Sequence, residues 1–204
     1  MGLKAIALIS GGIDSPVAVY LMMKKNVDII ALHLDTRPYS DDTSLKRTIE
    51  VLELLERKFK KRTRLHVIPH AAVQKEIAEK CDQHLRCVLC RRMMYRVAER
   101  LAEKEKADFI ITGEAIGQKA SQTLDNLYVI DRAVKIPVIR PLIGHDKEDT
   151  IKIARRIGTF ETTAVKGGCC SLVPDKPATK AALEKIEKEE KKLDMKALLR
   201  EAFK

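Results

Sequence analysis

The chain has 204 residues, of which 45% are apolar, enough for one α/β domain with or without a small appendage. No run of eighteen apolar residues occurs and the sequence enters a strand at once, so we expect a cytoplasmic protein without signal peptide or membrane span. The net charge of +10 favours a polyanionic partner such as RNA, although a Lys- and Glu-rich surface of thermophilic type is the alternative explanation.

Residues 4–18 predict a strand, a glycine-rich turn and a helix, and the rest of the chain is organised around them. Backbone N–H groups of such a turn, together with the helix N-terminus, bind phosphate. The turn matches neither GxxxxGK[ST] nor GxGxxG. Asp14 would repel a bare phosphate, so we expect Mg²⁺ between the carboxylate and the phosphate. The alternative is that Asp14 only caps the helix.

The apolar patterns that follow alternate between strands and helices. We expect further strands at residues 28–34, 64–68, 107–112 and 137–139, and helices at 44–61, 71–83, 91–106, 146–156 and 178–204, the last interrupted near Leu193–Asp194. Asp146 is expected to cap its helix. The order predicts a doubly wound α/β fold with a mainly parallel sheet of about five strands, helices on both faces and a ligand cleft at the carboxyl ends of the strands.

The chain is divided into a main domain, residues 1–175, and a charged C-terminal helical extension, residues 176–204. The histidines show no metal-ligand spacing, and we assign no site role to any of His33, His66, His70 and His84.

Five cysteines are more typical of metal binding or catalysis than of disulfides in a cytoplasmic protein. Cys87 and Cys90 form a CxxC at the start of a helix, where the helix dipole lowers thiol pKa values and favours metal or redox chemistry. A thioredoxin-type pair would directly follow a strand, whereas this pair lies between two helices. Cys169 and Cys170 lie in a glycine-rich loop, so either can face a site assembled elsewhere.

SGGIDS after the first strand resembles the pyrophosphate loop of the ATP-pyrophosphatase (PP-loop) superfamily. Four later segments resemble, in the same order, the PP-loop domain of the tRNA 4-thiouridine synthetases, sulfurtransferases also linked to thiamine biosynthesis: RRMMYRVAE, TGEAIGQKASQTLDNL, RPLIGHDKEDTIKIARRIGT and CCSLVPDKPATK. The resemblance spans about residues 5–180. It implies an adenine nucleotide alpha hydrolase-like fold and an ATP-dependent enzyme that adenylates a uridine oxygen in tRNA, after which sulfur displaces AMP.

The resemblance also implies roles for individual residues. ATP would lie on the loop formed by Ser10, Gly11, Gly12, Ile13, Asp14 and Ser15. Asp14 would serve Mg²⁺ and pyrophosphate, and Lys147 would reach the phosphates. Gly113 and Glu114 would line the nucleotide pocket, and Cys170 corresponds to the catalytic cysteine of the family.

The CxxC with a third cysteine resembles the iron–sulfur forms of these thiolation enzymes. Cys87, Cys90 and Cys170 would then hold the cluster, with Cys169 the rival for third ligand; a Zn²⁺ site on four cysteines is the alternative. The chain has no THUMP or rhodanese region, so we expect tRNA to bind through a separate THUMP protein or a homodimer, and sulfur to come from a donor protein or sulfide. Thiolation of a small molecule of thiamine or thiazole type, and non-catalytic nucleotide binding, are the competing functions.

Overall fold

Parallel strands form the centre of the molecule in the computed structural model, which describes residues 2–165 and 170–204. The strands are β1 (Lys4–Leu8), β2 (Asp28–Asp35), β3 (Arg64–Pro69), β4 (Phe109–Ile111) and β5 (Val138–Ile139). They pair in parallel in the order β3-β2-β1-β4-β5. Connections after β1 and β4 therefore diverge, which leaves a crevice between the carboxyl ends of these two strands.

Helices connect the strands and cover both faces of the sheet. They are α1 (Asp14–Met23), α2 (Thr43–Phe59), α3 (Ala71–Lys80), α4 (Arg86–Glu105), α5 (Leu124–Asp131), α6 (Lys147–Ile157), α7 (Phe160–Ala164), α8 (Leu183–Glu190) and α9 (Met195–Glu201). Alternate residues of each strand point to opposite faces. Ala5 and Ala7 of β1 pack with α1, α2 and α6, whereas Ile6 packs with α4. The predicted doubly wound fold is confirmed.

The C-terminal segment is helical, as predicted, and it shares a core with the rest of the protein. Ile186 of α8 is fully buried and Leu198 of α9 is nearly so, in one apolar cluster with residues of α3, α4 and α5. Glu190 at the end of α8 pairs with Arg92 and Arg96 of α4. The domain boundary at residues 175 and 176 stays a prediction, and these contacts join the two sides of it.

Two predicted details of the helix ends have different outcomes. The interruption near Leu193–Asp194 is confirmed, because the Asp194 side chain accepts a hydrogen bond from the Ala197 N–H and caps α9. The prediction for Asp146 is confirmed in position but not in contact: the residue occupies the N-cap position of α6 with extended backbone, and its side chain makes no capping hydrogen bond. Among the described residues, no helix has both the length and the apolar composition needed to cross a bilayer.

Candidate functional site

The glycine-rich loop between β1 and α1 is held from two sides. Gly11 has a φ of +69°, which favours glycine, and a Cβ on it would collide with the Ser44 carbonyl at the start of α2. Gly113, just beyond β4, would place a Cβ 2.6 Å from the backbone nitrogen of Ser15. Within the loop, the Ser10 N–H donates to Ser15 Oγ at 3.2 Å. The loop therefore lies in the crevice at the switch in strand order, as predicted.

Asp14 is the first residue of α1 and contacts a distant part of the chain. The N-cap position belongs to Ile13, which makes no side-chain capping bond. The Asp14 carboxylate instead accepts a hydrogen bond from Lys147 Nζ at 2.6 Å. Lys147 begins α6, so the ion pair joins the glycine-rich loop to the segment after β5. Asp14 and Lys147, predicted to act on the same phosphates, thus lie side by side.

His33 is buried beneath the loop, a position that the sequence analysis did not assign. Its Nδ1 lies 3.0 Å from the carbonyl oxygen of Ile9, and its Nε2 lies 3.3 Å from Ser44 Oγ. Burial lowers the pKa of His33, so the ring is neutral near pH 7 and can donate to one neighbour while accepting from another. His33 therefore fixes the end of β1, where the loop begins, against α2.

Glu114 follows Gly113 and is almost completely buried, with 1% of its surface exposed. Its carboxylate accepts hydrogen bonds from Arg91, Arg140, Tyr95 and Thr112. Burial alone would raise its pKa, but the positive charges of Arg91 and Arg140 outweigh that effect and lower it. The side chain predicted to line the nucleotide pocket is thus saturated by protein donors.

The three described cysteines that were predicted to share a site do lie near one another. Cys87 and Cys90 are in the first turns of α4, and each is close enough to Cys170 for a charge on that sulfur to raise its pKa. The Ser171 N–H donates to the Tyr39 carbonyl beyond β2, so Cys170 is held at the carboxyl edge of the sheet. We call Cys87, Cys90 and Cys170 the cysteine cluster. Cys169 lies outside the described residues.

Two side chains that sequence analysis left out contact the cysteine cluster. Gln74 Nε2 donates to Cys170 Sγ at 3.3 Å, and His70 Nε2 lies 3.4 Å from Cys90 Sγ. His70 directly precedes α3 and Gln74 belongs to it, and α3 follows β3. The position of His70 directly after a parallel strand was a usable signal, since ligands collect at that edge. Gln74 had no comparable signal.

The helix dipole does not decide the acidity of the CxxC thiols. Burial raises the pKa of Cys90 to about 12, and the neighbouring sulfurs of Cys170 and Cys87 contribute to the rise, while Arg91 and Gln74 oppose them weakly. Burial also raises the pKa of Cys87, against the opposing effect of Arg91. The lowered thiol pKa values expected from the sequence are therefore wrong for the protein without a bound metal.

The cysteine cluster and the glycine-rich loop are joined by one chain of contacts. Gly113 packs against Ser15, the adjoining Glu114 binds Arg91, and Arg91 follows Cys90 in α4. Across residues 2–165 and 170–204, no three His, Cys, Asp or Glu side chains stand in metal-binding geometry. The donor types nevertheless fit a thiolate-bound group, and buried atoms beside the cysteines, Gln74 Oε1 and His70 Nδ1, have no partner in the described structure.

A doubly wound parallel sheet with a glycine-rich loop at its switch point, and an Asp–Lys pair beside that loop, defines an α/β nucleotide-binding domain of PP-loop type. Residues 2–195 match the thiamine biosynthesis protein (ThiI) family. A probable tRNA sulfurtransferase of Caldanaerobacter subterraneus is 43% identical over 193 residues, which are 94% of this chain and 50% of that protein. The chain belongs to the ThiI family and spans about half the length of such relatives.

Solved structures agree with this assignment. A 4-thiouridine synthetase, crystallised with RNA and bound ATP, superimposes with a TM-score of 0.93 at 36% identity, over 98% of this chain and 53% of that one. The U34-tRNA thiolase NcsA of Methanococcus maripaludis, determined with its [4Fe-4S] cluster, shares the fold with a TM-score of 0.52 at 17% identity, over 97% of this chain and 70% of that one.

Proposed function

We propose that the protein is an ATP-dependent sulfurtransferase that replaces the O4 oxygen of a uridine in tRNA with sulfur. The Asp14–Lys147 ion pair at the glycine-rich loop is the observation that carries the proposal. It brings a carboxylate for Mg²⁺ and a cation for phosphate together at a loop whose backbone is suited to a polyphosphate. The similarity to a 4-thiouridine synthetase with bound ATP supports the choice of reaction.

In the first step, the uridine O4 attacks the α-phosphorus of ATP and pyrophosphate leaves. The loop from Ser10 to Ser15 binds the β- and γ-phosphates through backbone N–H groups. The ammonium group of Lys147 offsets the charge that develops on the leaving pyrophosphate, and Asp14 would hold a Mg²⁺ ion, which would supply further positive charge there. Glu114 acts indirectly, because its carboxylate holds Arg91 and Arg140 in place at the wall of the crevice.

In the second step, a hydrosulfide equivalent attacks C4 of the adenylated uridine and AMP leaves, so the C–O bond is exchanged for a C–S bond. Adenylation must come first because an unactivated carbonyl oxygen is a poor leaving group. The thiol of Cys170 lies at the same carboxyl edge of the sheet as the glycine-rich loop. The exchange of a C–O bond for a C–S bond by hydrosulfide changes no oxidation state, so the step needs no external oxidant or reductant.

Cys87, Cys90 and Cys170 would hold an iron–sulfur cluster, with Cys169 the rival third ligand and Zn²⁺ the alternative metal. Such a cluster, when bound, supplies an open coordination position for sulfide. A metal also relieves a cost: neighbouring thiols with raised pKa values ionise readily only when a metal ion compensates their charge.

The test is a single-turnover reaction of the full chain with tRNA, ATP, Mg²⁺ and hydrosulfide under anaerobic conditions, with and without a THUMP-domain protein. We expect equal amounts of AMP and 4-thiouridine, measured by chromatography and mass spectrometry. Asp14→Ala and Lys147→Ala should each lower AMP formation by at least about 100-fold. Lys152→Ala, an exposed lysine on α6, is the matched control and should react normally.

Other outcomes identify the competing functions. AMP formation that requires a small sulfur acceptor and ignores tRNA would replace the RNA substrate with a metabolite. ATP binding without AMP from any acceptor would reduce the protein to a nucleotide-binding role.

A further inference from the structure

Gln74 contacts the loop cysteine of the cysteine cluster from helix α3. Its Nε2 donates to Cys170 Sγ at 3.3 Å, and it lies one helical turn after His70, whose ring contacts Cys90. Gln74 is 6% exposed although it is an uncharged polar residue on a helix with free surface elsewhere. A glutamine is buried at a cost unless its amide is hydrogen-bonded, so its burial beside two sulfurs indicates a specific contact.

His70 makes the corresponding contact on the neighbouring thiol. The ring is fully buried, and its Nε2 lies 3.4 Å from Cys90 Sγ. Either the imidazole N–H or the Cys90 thiol donates in this contact, according to the tautomer of the ring. The backbone N–H of His70 donates to the Asp35 carbonyl at 2.7 Å, which anchors the start of α3 to the end of β2. The two sulfurs thus contact polar side chains at the start of a helix that is itself fixed to the sheet.

We propose that Gln74 is a positioning residue of the sulfur-transfer site: its amide, on the anchored helix α3, holds Cys170 beside Cys90. His70 supports it by holding Cys90. The inference rests on the proposed function for its purpose, but the geometry it asserts can be tested without any turnover. Cys170 comes from a loop and Cys90 from a helix, so without a tether their separation would vary.

A neutral amide donor such as Gln74 suits a sulfur site better than a charged one would. An N–H···S bond stabilises a thiolate or a metal-bound sulfur and raises the reduction potential of an iron–sulfur centre. A lysine or arginine in the same place would bind the sulfur more strongly and would hinder its transfer. Gln74 Oε1 has no partner in the described structure and remains available as an acceptor toward an entering hydrosulfide.

The test measures the distance between the thiols directly. In a metal-free variant with Cys81, Cys87 and Cys169 changed to serine, dibromobimane can cross-link only Cys90 with Cys170, and the fluorescence of the doubly substituted product reports the reaction. Both rates are measured at one alkaline pH, because burial raises the pKa of Cys90 and alkylation needs the thiolate; we expect cross-linking with Gln74 present, and a rate about tenfold lower for Gln74→Leu, which fills a similar volume without a donor. Lys75→Ala, an exposed neighbour on α3, is the control and should cross-link normally.

A second measurement separates this inference from the proposed reaction. In the otherwise native chain, Gln74→Leu should release pyrophosphate in the first turnover as the parent does, while the rates of sulfur incorporation and of AMP release both fall by about tenfold. Absence of thiolation in the parent would refute the proposed function and leave the cross-linking result to decide the tether. Equal cross-linking rates for the parent and for Gln74→Leu, or no cross-link in the parent, would overturn the tether. Circular dichroism and thermal unfolding verify that each variant is folded.

Discussion

At the scale of single residues, Glu114 is the most constrained charged group of the site. Its carboxylate accepts hydrogen bonds from two guanidinium groups, a phenol and a hydroxyl, and it lies between the glycine-rich loop and the cysteine cluster. A buried ion network of this kind gives little net stability compared with apolar packing, but removal of one member leaves the others uncompensated. The network therefore matters mainly because it fixes the positions of the side chains that bind Glu114.

Glu114→Gln should therefore destabilise the fold by about 3 kcal/mol, because Arg91 would lose its carboxylate and Arg140 would keep only Asp131 as a counter-charge. Urea unfolding followed by circular dichroism gives the free energy of unfolding. Asp149→Asn removes one partner of an exposed pair and should change it far less. A similar small effect for both variants would contradict the assigned role of Glu114.

Acid should weaken the fold in two stages. The folded-state pKa values of His33 and His70 are lowered by burial, so the unfolded chain takes up these protons first as the pH falls below about 6.5. Arginines outweigh burial and lower the pKa values of Glu114 and Glu190, so the stability from these carboxylates is complete above about pH 4.3 and declines below it. The midpoint of urea unfolding, measured from pH 8 to about pH 2, should fall first through the histidine range and again below about pH 4.3. A constant midpoint over this range would refute the assignment.

At the scale of secondary-structure elements, α8 is tied to α4 by ionic and apolar contacts together. Arg92 has 2% of its surface exposed and donates to Glu190 and to the carbonyl of Val129 in α5, so it links three helices. Ile186 packs into the apolar cluster one turn before Glu190. Although the C-terminal segment is rich in charged residues, its apolar side chains are buried against the rest of the protein.

Glu190→Ala should release α8 from α4, since Arg92 would keep a buried charge that has lost its carboxylate. We expect a loss of about 3 kcal/mol in unfolding free energy and faster amide hydrogen exchange in α8 and α9. Glu187→Ala, at an exposed position of the same helix, is the matched control. Unchanged exchange in the Glu190 variant would show that apolar contacts alone hold the segment.

At the scale of the whole molecule, the balance of charge bears on how the protein meets its substrate. The chain carries 39 Lys and Arg against 29 Asp and Glu, and the internal pairs of Glu114 and Glu190, with two arginines each, remove only a small part of this excess. The positive excess is therefore available to phosphates in solution. Binding of this kind releases counterions from RNA and depends strongly on salt.

We expect tRNA affinity, measured by filter binding, to fall by at least about tenfold between about 50 and 200 mM salt. An affinity that does not change with salt would mean that phosphate contacts do not carry the binding. A chain with no measurable affinity at low salt, alone or with a THUMP-domain protein, would favour the small-molecule reaction.

The sequence left the strand order open but located the functional edge of the sheet. Apolar runs and the spacing of Ser10 to Ser15 identified the loop, because a parallel α/β fold leaves few alternatives for such a turn. Family resemblance supplied Lys147 and Cys170, which periodicity cannot find. His33 and Gln74 escaped because their importance arises from neighbours distant in the sequence. The thiol pKa values were mispredicted for the same reason, since burial is a property of the packed molecule.

The close packing around Gly11 and Gly113 has a consequence for the free energy of ligand binding at the glycine-rich loop. Side chains larger than hydrogen have no room at Gly11 or Gly113, so the loop packs tightly against the start of α2 and against the chain just beyond β4. A nucleotide that enters meets amide groups already arranged, and little conformational entropy is lost on binding. Calorimetry should accordingly show a small heat-capacity change for the triphosphate, with most of the enthalpy coming from hydrogen bonds and metal coordination rather than from ordering of the chain.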